Sequence, residues 1–435
     1  MQDDESVGTR FIASSNQGKR DGANTTDTGE DTIKDGGADA GQDAINRVPT
    51  KLKFRHILAR VILVLLFVTG FFFSVIPAGR SAARGLYILP ELILASQPGV
   101  LSLAEEPIRH IQKTIPSSNG TVYLDIYEPS TPPPLIPGAR EGVVVIPGVG
   151  DNRADSQLVN FSQGLARAGL VVMDMTTPTL LNYDLSYQDS DAVAQAFKAL
   201  ASWPGVGARR VGIIGFSAGD ALAAFAAADP RIRNQVAFIL CFGGYFNTTT
   251  LLRAFGRRAL DVNGQAQPWH PQYVPIEVLA NTIAPLLPSD EASRLVNALA
   301  PSGVPLTPEE LAQFSPDTVA VYHLLNGDQP GQTDANIAAL SAPIHALLDQ
   351  LSPGRVIGQI RAPIYLLHDR SDEYVPFTES LAFDAALNHI HHAHDFALFG
   401  IFQHVEVKSN INPGQLLGDG LSLYRILNEV LQAGD

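Results

Sequence analysis

The segment VGIIGFSAGDALAAFAAA, residues 211–228, constrains the fold of this chain more than any other. It contains a short apolar run, the five residues G-F-S-A-G from Gly215 to Gly219, and an alanine-rich run. This order predicts a buried strand, a tight turn and a helix, with the candidate nucleophile Ser217 exposed on the turn. Glycine is required at both ends of such a turn because a side chain there would meet neighbouring backbone. The alternative is an ordinary glycine-serine turn before a helix.

Apolar runs of strand length alternate with runs of helix length from about residue 110 to the C-terminus. Strands that alternate with helices need crossover connections, so we predict the α/β class with a mainly parallel sheet covered by helices. The predicted strands are 121–127, 142–146, 170–175, 211–215, 236–242, 363–368 and 396–399. The predicted helices are 158–168, 191–201, 218–228, 377–387 and 420–431.

One long interruption, residues 246–355, separates two late strands and carries helix-start signals. Thr307 and Glu310 can form a capping box with proline at the first helical position. An insertion at this point is expected over the C-terminal edge of the sheet, where ligands bind in α/β folds. We therefore predict a core of residues 110–245 and 356–435 with a helical lid insertion, residues 246–355.

The N-terminal part predicts a polar tail followed by a membrane span. Residues 1–50 hold ten acidic and five basic side chains and show no apolar periodicity, so we expect them to be disordered. Residues 57–78 (ILARVILVLLFVTGFFFSVIPA) contain a single charge, on Arg60. A helix of this length rises about 33 Å, which is enough to cross a hydrocarbon core of about 30 Å. We predict an uncleaved signal anchor; a buried core helix and a cleaved signal peptide are the alternatives.

The flanking charges predict the orientation of this span. Four basic residues precede it and two follow it, so the tail should be cytoplasmic and the rest of the chain extracytoplasmic. Residues 79–109 are aliphatic but interrupted by proline and glycine, which favours a linker or surface-packed segment. The basic residues are Arg47, Lys51, Lys53 and Arg55 before the span and Arg80 and Arg84 after it.

Composition excludes several classes of protein. The formal net charge of −14 argues against a nucleic-acid partner, because phosphate binding needs clustered lysine and arginine. A single cysteine, Cys241, excludes an intrachain disulfide and a cysteine-built metal site. Four histidines between 389 and 394 raise the question of a metal, but they lack a cysteine partner and an H-E-x-x-H pattern. We predict a solvated loop there, and neither a metal nor a cofactor.

A serine hydroxyl needs a base, and the base needs a group that holds its tautomer, so a carboxylate and a histidine are sought downstream of Ser217. The segment PIYLLHDRSDEYVP runs from a strand into Asp369, Asp372 and Glu373. The segment FALFGIFQHVEV places His404 just after the last strand. The order serine, aspartate, histidine is that of α/β-hydrolases. His368, at the end of its strand, is interpreted as structural.

These motifs resemble the α/β-hydrolase superfamily over residues 121–432, and are similar to its esterase and dienelactone-hydrolase-like branches. HDRSDEYVP resembles the family's H-G-x-x-D-x-x-V-P segment, which implies Asp372 as the triad acid. FGIFQH resembles the segment that delivers the triad histidine, which implies His404. VVVIPGVGD resembles the turn that donates the first oxyanion N–H, which implies Val149, with Ala218 as the second donor.

Two positions depart from the family pattern. Pro147 stands where the family usually has histidine, and Asp369 stands where it usually has glycine. The second departure creates a rival carboxylate three residues before Asp372.

The resemblance implies a serine hydrolase that cleaves carboxylic esters through an acyl-enzyme. The expected substrate is a small-molecule ester, with an apolar acyl group if the lid helices form its wall. Peptidase, lactone hydrolase and acyltransferase activities remain open on the same fold. A catalytically silent, membrane-anchored binding protein is the alternative from another class.

Overall fold

The computed structural model describes residues 50–93, 107–131, 140–408 and 410–434. The chain divides into two units, Met1–Val64 and Leu65–Asp435. The predicted polar tail lies outside the described residues except at Thr50, and so does the part of the predicted linker from 94 to 106.

The helices and strands are numbered in chain order. The strands are β1 (Ile108–Ser117), β2 (Gly120–Pro129), β3 (Arg140–Ile146), β4 (Val171–Thr176), β5 (Val206–Phe216), β6 (Val236–Phe242), β7 (Ala259–Val262), β8 (Gln265–Pro268), β9 (Ile364–Asp369), β10 (His394–Phe399), β11 (Phe402–Gln403) and β12 (Glu406–Val407). The helices are α1 (Thr50–Val75), α2 (Pro77–Ile93), α3 (Ser156–Arg167), α4 (Pro178–Leu181), α5 (Asp189–Ala201), α6 (Ala218–Ala228), α7 (Thr248–Arg257), α8 (Tyr273–Ile283), α9 (Ser289–Leu299), α10 (Pro308–Leu311), α11 (Pro316–Asn326), α12 (Thr333–Ala339), α13 (Ala342–Gln350), α14 (Thr378–His389) and α15 (Pro413–Gly434).

Eight strands form one sheet in the order β1-β2-β4-β3-β5-β6-β9-β10. The pairs β1–β2 and β2–β4 are antiparallel, and every other pair in this sheet is parallel. The prediction of an α/β fold with a mainly parallel sheet is therefore confirmed.

The central strands contain continuous apolar runs, such as 142–146 in β3 and 236–242 in β6, because helices cover both faces of the sheet. Successive side chains of a strand point to opposite faces. In β3, Val144 and Ile146 pack into the layer that contains α5 and α6. Val143 and Val145 pack into the layer that contains α3 and α15. The sheet is thus the middle layer of three, and its parallel strands all end at one edge.

The insertion between β6 and β9 contains α7–α13, but it is not helical throughout. A small antiparallel hairpin, β7–β8, turns at Asn263 and Gly264, which both have positive φ (55° and 77°). Asn-Gly is the preferred pair for such a turn, so the hairpin had a sequence signal that the helical interpretation overlooked. The capping box of Thr307 and Glu310 at the start of α10 is confirmed.

Two helices precede the sheet. On α2, Ile88 is fully buried in the layer of α3 and α15, and Ala82 accepts a hydrogen bond from Tyr424 of α15 (3.1 Å). On α1, large apolar side chains from Val61 to Phe72 are exposed, with Phe67 73% accessible. Among the described residues, no helix is both long and apolar enough to cross a membrane. The side chains at 57–59, 73–75 and 77 of the predicted span are not among those the structure describes, so the span stays a prediction.

Candidate active site

Ser217 occupies a strained turn between β5 and α6. Its backbone has φ 53° and ψ −121°, a combination that costs a non-glycine residue free energy and recurs at functional sites. The turn is closed by a 2.8 Å hydrogen bond from Ser217 N to Phe242 O. A Cβ on Gly215 would lie 2.5 Å from the Cα of Asp220, and one on Gly219 would lie 2.2 Å from a backbone oxygen. Both glycines are therefore needed for this turn to form.

Asp372 and His404 form a buried pair. His404 Nδ1 lies 2.7 Å from Asp372 Oδ2, and the Asp372 side chain has no exposed surface. The other carboxylate oxygen, Oδ1, accepts hydrogen bonds from the N–H groups of Tyr374 (2.7 Å) and Val375 (2.9 Å). Burial alone would raise the pKa of Asp372, but the charge of His404 and the hydrogen bonds from two histidines hold it well below its usual value. The carboxylate is therefore ionised and fixed.

The ring of His404 has two close neighbours, Tyr374 and Gly243. The ring of Tyr374 stacks on it with centroids 4.8 Å apart and an angle of 16° between the planes. A Cβ on Gly243 would lie 3.3 Å from both Cε1 and Nδ1 of His404, so this glycine is also a close neighbour of the ring. Gly243 directly follows the residue that bonds Ser217 N, so the imidazole and the serine lie at the same edge of the sheet. Among the described residues, no hydrogen bond joins Ser217 Oγ to His404, whose Nδ1 contacts Asp372.

His368 is a second buried partner of Asp372, and its contribution to the site was overlooked in the sequence. Its Nε2 lies 3.1 Å from Asp372 Oδ2 and 2.9 Å from Val375 O. Both of those atoms are acceptors, so Nε2 carries a hydrogen. Nδ1 lies 2.7 Å from Ser380 Oγ. Burial lowers the pKa of His368, but Asp372 outweighs it and the net pKa is raised. Its position four residues before the acid, at a strand end, was the only available signal.

Asp369, the rival carboxylate, has different partners. It accepts hydrogen bonds from the N–H and Oγ of Ser371 (2.8 and 2.5 Å) and from Phe402 N (3.2 Å). Lys408 Nζ lies 3.4 Å away. None of its hydrogen bonds within the described chain goes to His404. Asp369 ties the end of β9 to the hairpin β11–β12, whereas Asp372 contacts the histidine.

The loop after β3 brings Val149 to Ser217. A Cβ on Gly148 would lie 3.2 Å from the Cβ of Ser217, so a side chain there would crowd the serine and force a shift of a few tenths of an ångström. The Asn152 side-chain amide donates to the carbonyls of Gly148 (3.0 Å) and Val149 (3.1 Å) and fixes the loop. In the described chain, the N–H groups of Val149 and Ala218 have no acceptor. Two free donors thus border Ser217, and Asn152 is a further residue that the sequence did not single out.

Val149, Ser217 and Ala218 line one cavity of about 50 Å³. Its remaining wall is mostly apolar and comes largely from the insertion: Leu251, Val274, Pro275, Val278 and Leu279. The insertion is also bonded to the acid loop, because Trp269 Nε1 donates to Asp372 O (2.8 Å). The structure therefore places all seven predicted site residues at one edge of the sheet.

Two of the four histidines between residues 389 and 394 are held by local hydrogen bonds. His394 begins β10, where its Nδ1 bonds His392 O (2.7 Å) and its Nε2 bonds Asp384 Oδ1 (3.1 Å). His392 Nε2 bonds Ala362 O (2.8 Å). His389 ends α14 and His394 begins β10, so the interpretation as a solvated loop was wrong for these two histidines.

No protein-family model and no curated protein sequence matches this chain. Solved structures do. Esterase B from Lactobacillus rhamnosis is similar over 87% of this chain and 96% of its own, with 16% identity and a TM-score of 0.43. An acylaminoacyl peptidase from Pyrococcus horikoshii is similar over 76% of this chain, with 14% identity and a TM-score of 0.43. Dipeptidyl peptidase 4 from Porphyromonas gingivalis is similar over 75%, with 13% identity and a TM-score of 0.42. The chain spans only 43% and 36% of the lengths of these two peptidases.

The sheet topology of the chain, together with a serine on a tight strand-to-helix turn at the C-terminal edge, is that of the α/β-hydrolase fold.

Proposed function

We propose that the chain is a serine hydrolase that cleaves carboxylic esters through an acyl-enzyme on Ser217. The observation that carries this proposal is the buried Asp372–His404 pair at the same sheet edge as Ser217. A serine alone is a weak nucleophile, and a carboxylate-oriented imidazole is the arrangement that activates it.

The residues divide the chemistry as follows. Asp372 accepts the Nδ1–H of His404, so Nε2 is free of a proton and acts as the base. His404 Nε2 takes the proton of Ser217 Oγ as Oγ bonds the acyl carbonyl carbon, and the carbonyl oxygen becomes an oxyanion. The N–H groups of Val149 and Ala218 stabilise that oxyanion. The C–O bond to the alcohol then breaks, and His404 returns the proton to the leaving oxygen.

Water completes the cycle. His404 Nε2 removes a proton from a water molecule, whose oxygen attacks the acyl carbon of the acyl-enzyme. The second tetrahedral intermediate collapses, Ser217 Oγ leaves and regains the proton from His404, and a carboxylic acid is released. The groups used in the first half are thereby restored.

The substrate is a small ester whose acyl group is apolar. The apolar wall of the cavity supports this choice, since Leu251, Val278 and Leu279 offer no hydrogen bond to a polar side chain at that position. The volume of about 50 Å³ favours a short acyl group unless the insertion moves.

The test is covalent labelling followed by turnover. The full chain should react with a fluorophosphonate probe and hydrolyse p-nitrophenyl esters, fastest for short acyl chains. Ser217→Ala should abolish both while circular dichroism and thermal unfolding stay unchanged. Undiminished labelling of the folded Ser217→Ala variant would contradict the assignment. Hydrolysis of peptide amides with no turnover of esters would instead identify a peptidase.

We further propose that residues 57–78 anchor the chain in a membrane, with the N-terminal tail cytoplasmic and the hydrolase extracytoplasmic. Exposed apolar side chains on α1, from Val61 to Phe72, support this proposal, because contiguous exposed apolar surface marks contact with another apolar phase. The excess of basic residues before the segment supports the orientation.

A further inference from the structure

A second and larger cavity lies in the layer of α3 and α15. Its volume is about 170 Å³, against about 50 Å³ for the cavity at Ser217, and no residue lines both. The wall between them includes Gly148, which lines the larger cavity and whose Cβ position would be 3.2 Å from Ser217 Cβ. The two cavities therefore share no lining residue, and the loop after β3 contributes Gly148 to one and Val149 to the other.

The floor of the larger cavity is apolar and rigid. Leu165, Leu240, Phe242, Leu423 and Leu427 are all buried there. Aromatic rings brace it, with Phe242 and Phe402 in an edge-to-face contact at 4.9 Å. An apolar cavity of about 150 Å³ accommodates a benzene molecule, so this one has room for a chain or ring of about six carbons.

The rim is polar and carries negative charge only. Asp155 and Glu406 are the only charged residues that line the described cavity, and both are exposed. Asp155 already accepts hydrogen bonds from Gln157 N and Leu158 N (both 2.9 Å), so its carboxylate caps α3 and already has donors. A carboxylate head group at this rim would meet like charge, whereas a neutral or cationic head group would not.

The cavity also touches the hairpin that carries His404. Phe402, Val405, Glu406 and Val407 line it, and they lie on both sides of that histidine in the chain. Across the rim, Gln157 Oε1 accepts a 3.4 Å hydrogen bond from Val407 N. A molecule in this cavity would contact the hairpin β11–β12 without contacting Ser217.

We propose that this cavity is a second binding site, which takes a hydrocarbon group of about six carbons carried by a small neutral or cationic molecule. It is distinct from the site of the acyl group on Ser217. The proposal does not depend on the esterase assignment, because binding can be measured in the absence of turnover.

The test uses three probes with one chain and different head groups: hexylammonium, hexan-1-ol and hexanoate. Each is titrated calorimetrically into the full chain in lipid nanodiscs, with empty nanodiscs as the reference for partition into lipid. Hexylammonium and hexan-1-ol should bind saturably with one site per chain, and hexanoate should bind several-fold more weakly. Equal affinity for hexanoate would overturn the role given to the rim carboxylates, and the absence of saturable binding would overturn the site.

Two cavity-filling variants locate the probe. Leu423→Trp fills the proposed site and should abolish hexan-1-ol binding. Val278→Trp fills the cavity at Ser217 instead and should leave hexan-1-ol binding unchanged. The reverse pattern would place the alcohol at the Ser217 cavity and refute the proposal. If Leu423→Trp does not fold, Leu158→Phe at the half-buried end of the same cavity provides the same comparison.

Discussion

Replacing Asp372 by asparagine should remove nearly all activity, whereas the same change at Asp369 should remove little. The two residues lie three positions apart and are both buried, so the substitutions are closely matched. They differ in their partners: Asp372 contacts His404, and Asp369 contacts Ser371, Phe402 and Lys408.

The size of the effect at Asp372 follows from the choice between two amide orientations. If the amide nitrogen faces Tyr374 N and Val375 N, two buried N–H groups lose their acceptor, at about 1–3 kcal/mol each. With the NH₂ turned to His404, the Nε2–H of His368 also loses Oδ2 as an acceptor, but it keeps Val375 O at 2.9 Å. The side chain therefore turns its oxygen to Tyr374 N and Val375 N and its NH₂ to His404. An NH₂ group donates to Nδ1, so the histidine proton moves to Nε2, and the base that Ser217 needs is lost. In a serine protease the same change lowers kcat by roughly 10⁴.

The assay is kcat for a p-nitrophenyl ester, with fluorophosphonate labelling rate as a second readout. Circular dichroism and thermal unfolding establish that both variants are folded. Asp369→Asn weakens the link to Lys408 and the hairpin, so its effect should be on the melting temperature more than on kcat. If Asp369→Asn costs more activity than Asp372→Asn in folded protein, the assignment of the acid is refuted.

Four further outcomes follow from the geometry. Gly219→Ala should lower the melting temperature and abolish labelling, because the added Cβ would lie 2.2 Å from a backbone oxygen. Gly358→Ala is the control: no atom lies within 4 Å of its added Cβ, so it should change neither the melting temperature nor labelling. His368→Asn should lower kcat with little change in KM and move the acid limb of the kcat/KM profile to higher pH, because positive charge near the catalytic imidazole is removed; an unchanged profile in a folded variant would reduce His368 to a packing role. Burial raises the pKa of Asp220 to about 7, so the unfolded chain ionises first and the free energy of unfolding should fall between about pH 4 and pH 7. At about 1.4 kcal/mol per pKa unit the loss is on the order of 4 kcal/mol. Urea unfolding at several pH values should show a smaller fall for Asp220→Asn than for the unchanged chain. Protease added to intact cells should cut the hydrolase and spare the tail and residues 57–78; cleavage of the tail alone would show the opposite orientation.

The parts of this structure that were predictable from sequence are those whose signal is local. The turn at Ser217 could be predicted because its two glycines, the preceding strand and the alanine-rich helix are contiguous in the chain. The same holds for most central strands, whose continuous apolar runs reflect burial on both faces. The edge strand β1 is exposed or half-buried at every position and has no such run, and it was not predicted.

Features that depend on distant contacts were not predictable. Nothing in the order of residues indicates that His368 shares one carboxylate oxygen with His404, because the two histidines are 36 positions apart and meet only when β9 lies beside β10. The second cavity depends on helices α3 and α15, which are separated by more than 200 residues. The choice between Asp369 and Asp372 rested on family pattern alone, and the contacts of the two side chains provide the physical criterion that the sequence lacked.

The site is rigid because the hydrogen-bond ladder of the sheet continues past the strand ends. Ser217 N bonds Phe242 O (2.8 Å), linking the ends of β5 and β6, and Gly243 N bonds Leu367 O (2.9 Å), linking β6 to β9. Because Gly243 has no side chain, the ring of His404 can lie 3.3 Å from the position that a Cβ would occupy. The nucleophile, the histidine and the acid loop are each attached to adjoining strands, so their relative positions change little without breaking the sheet. The wall of the cavity at Ser217 comes instead largely from the insertion, so its sequence and shape can change without a change at the sheet edge.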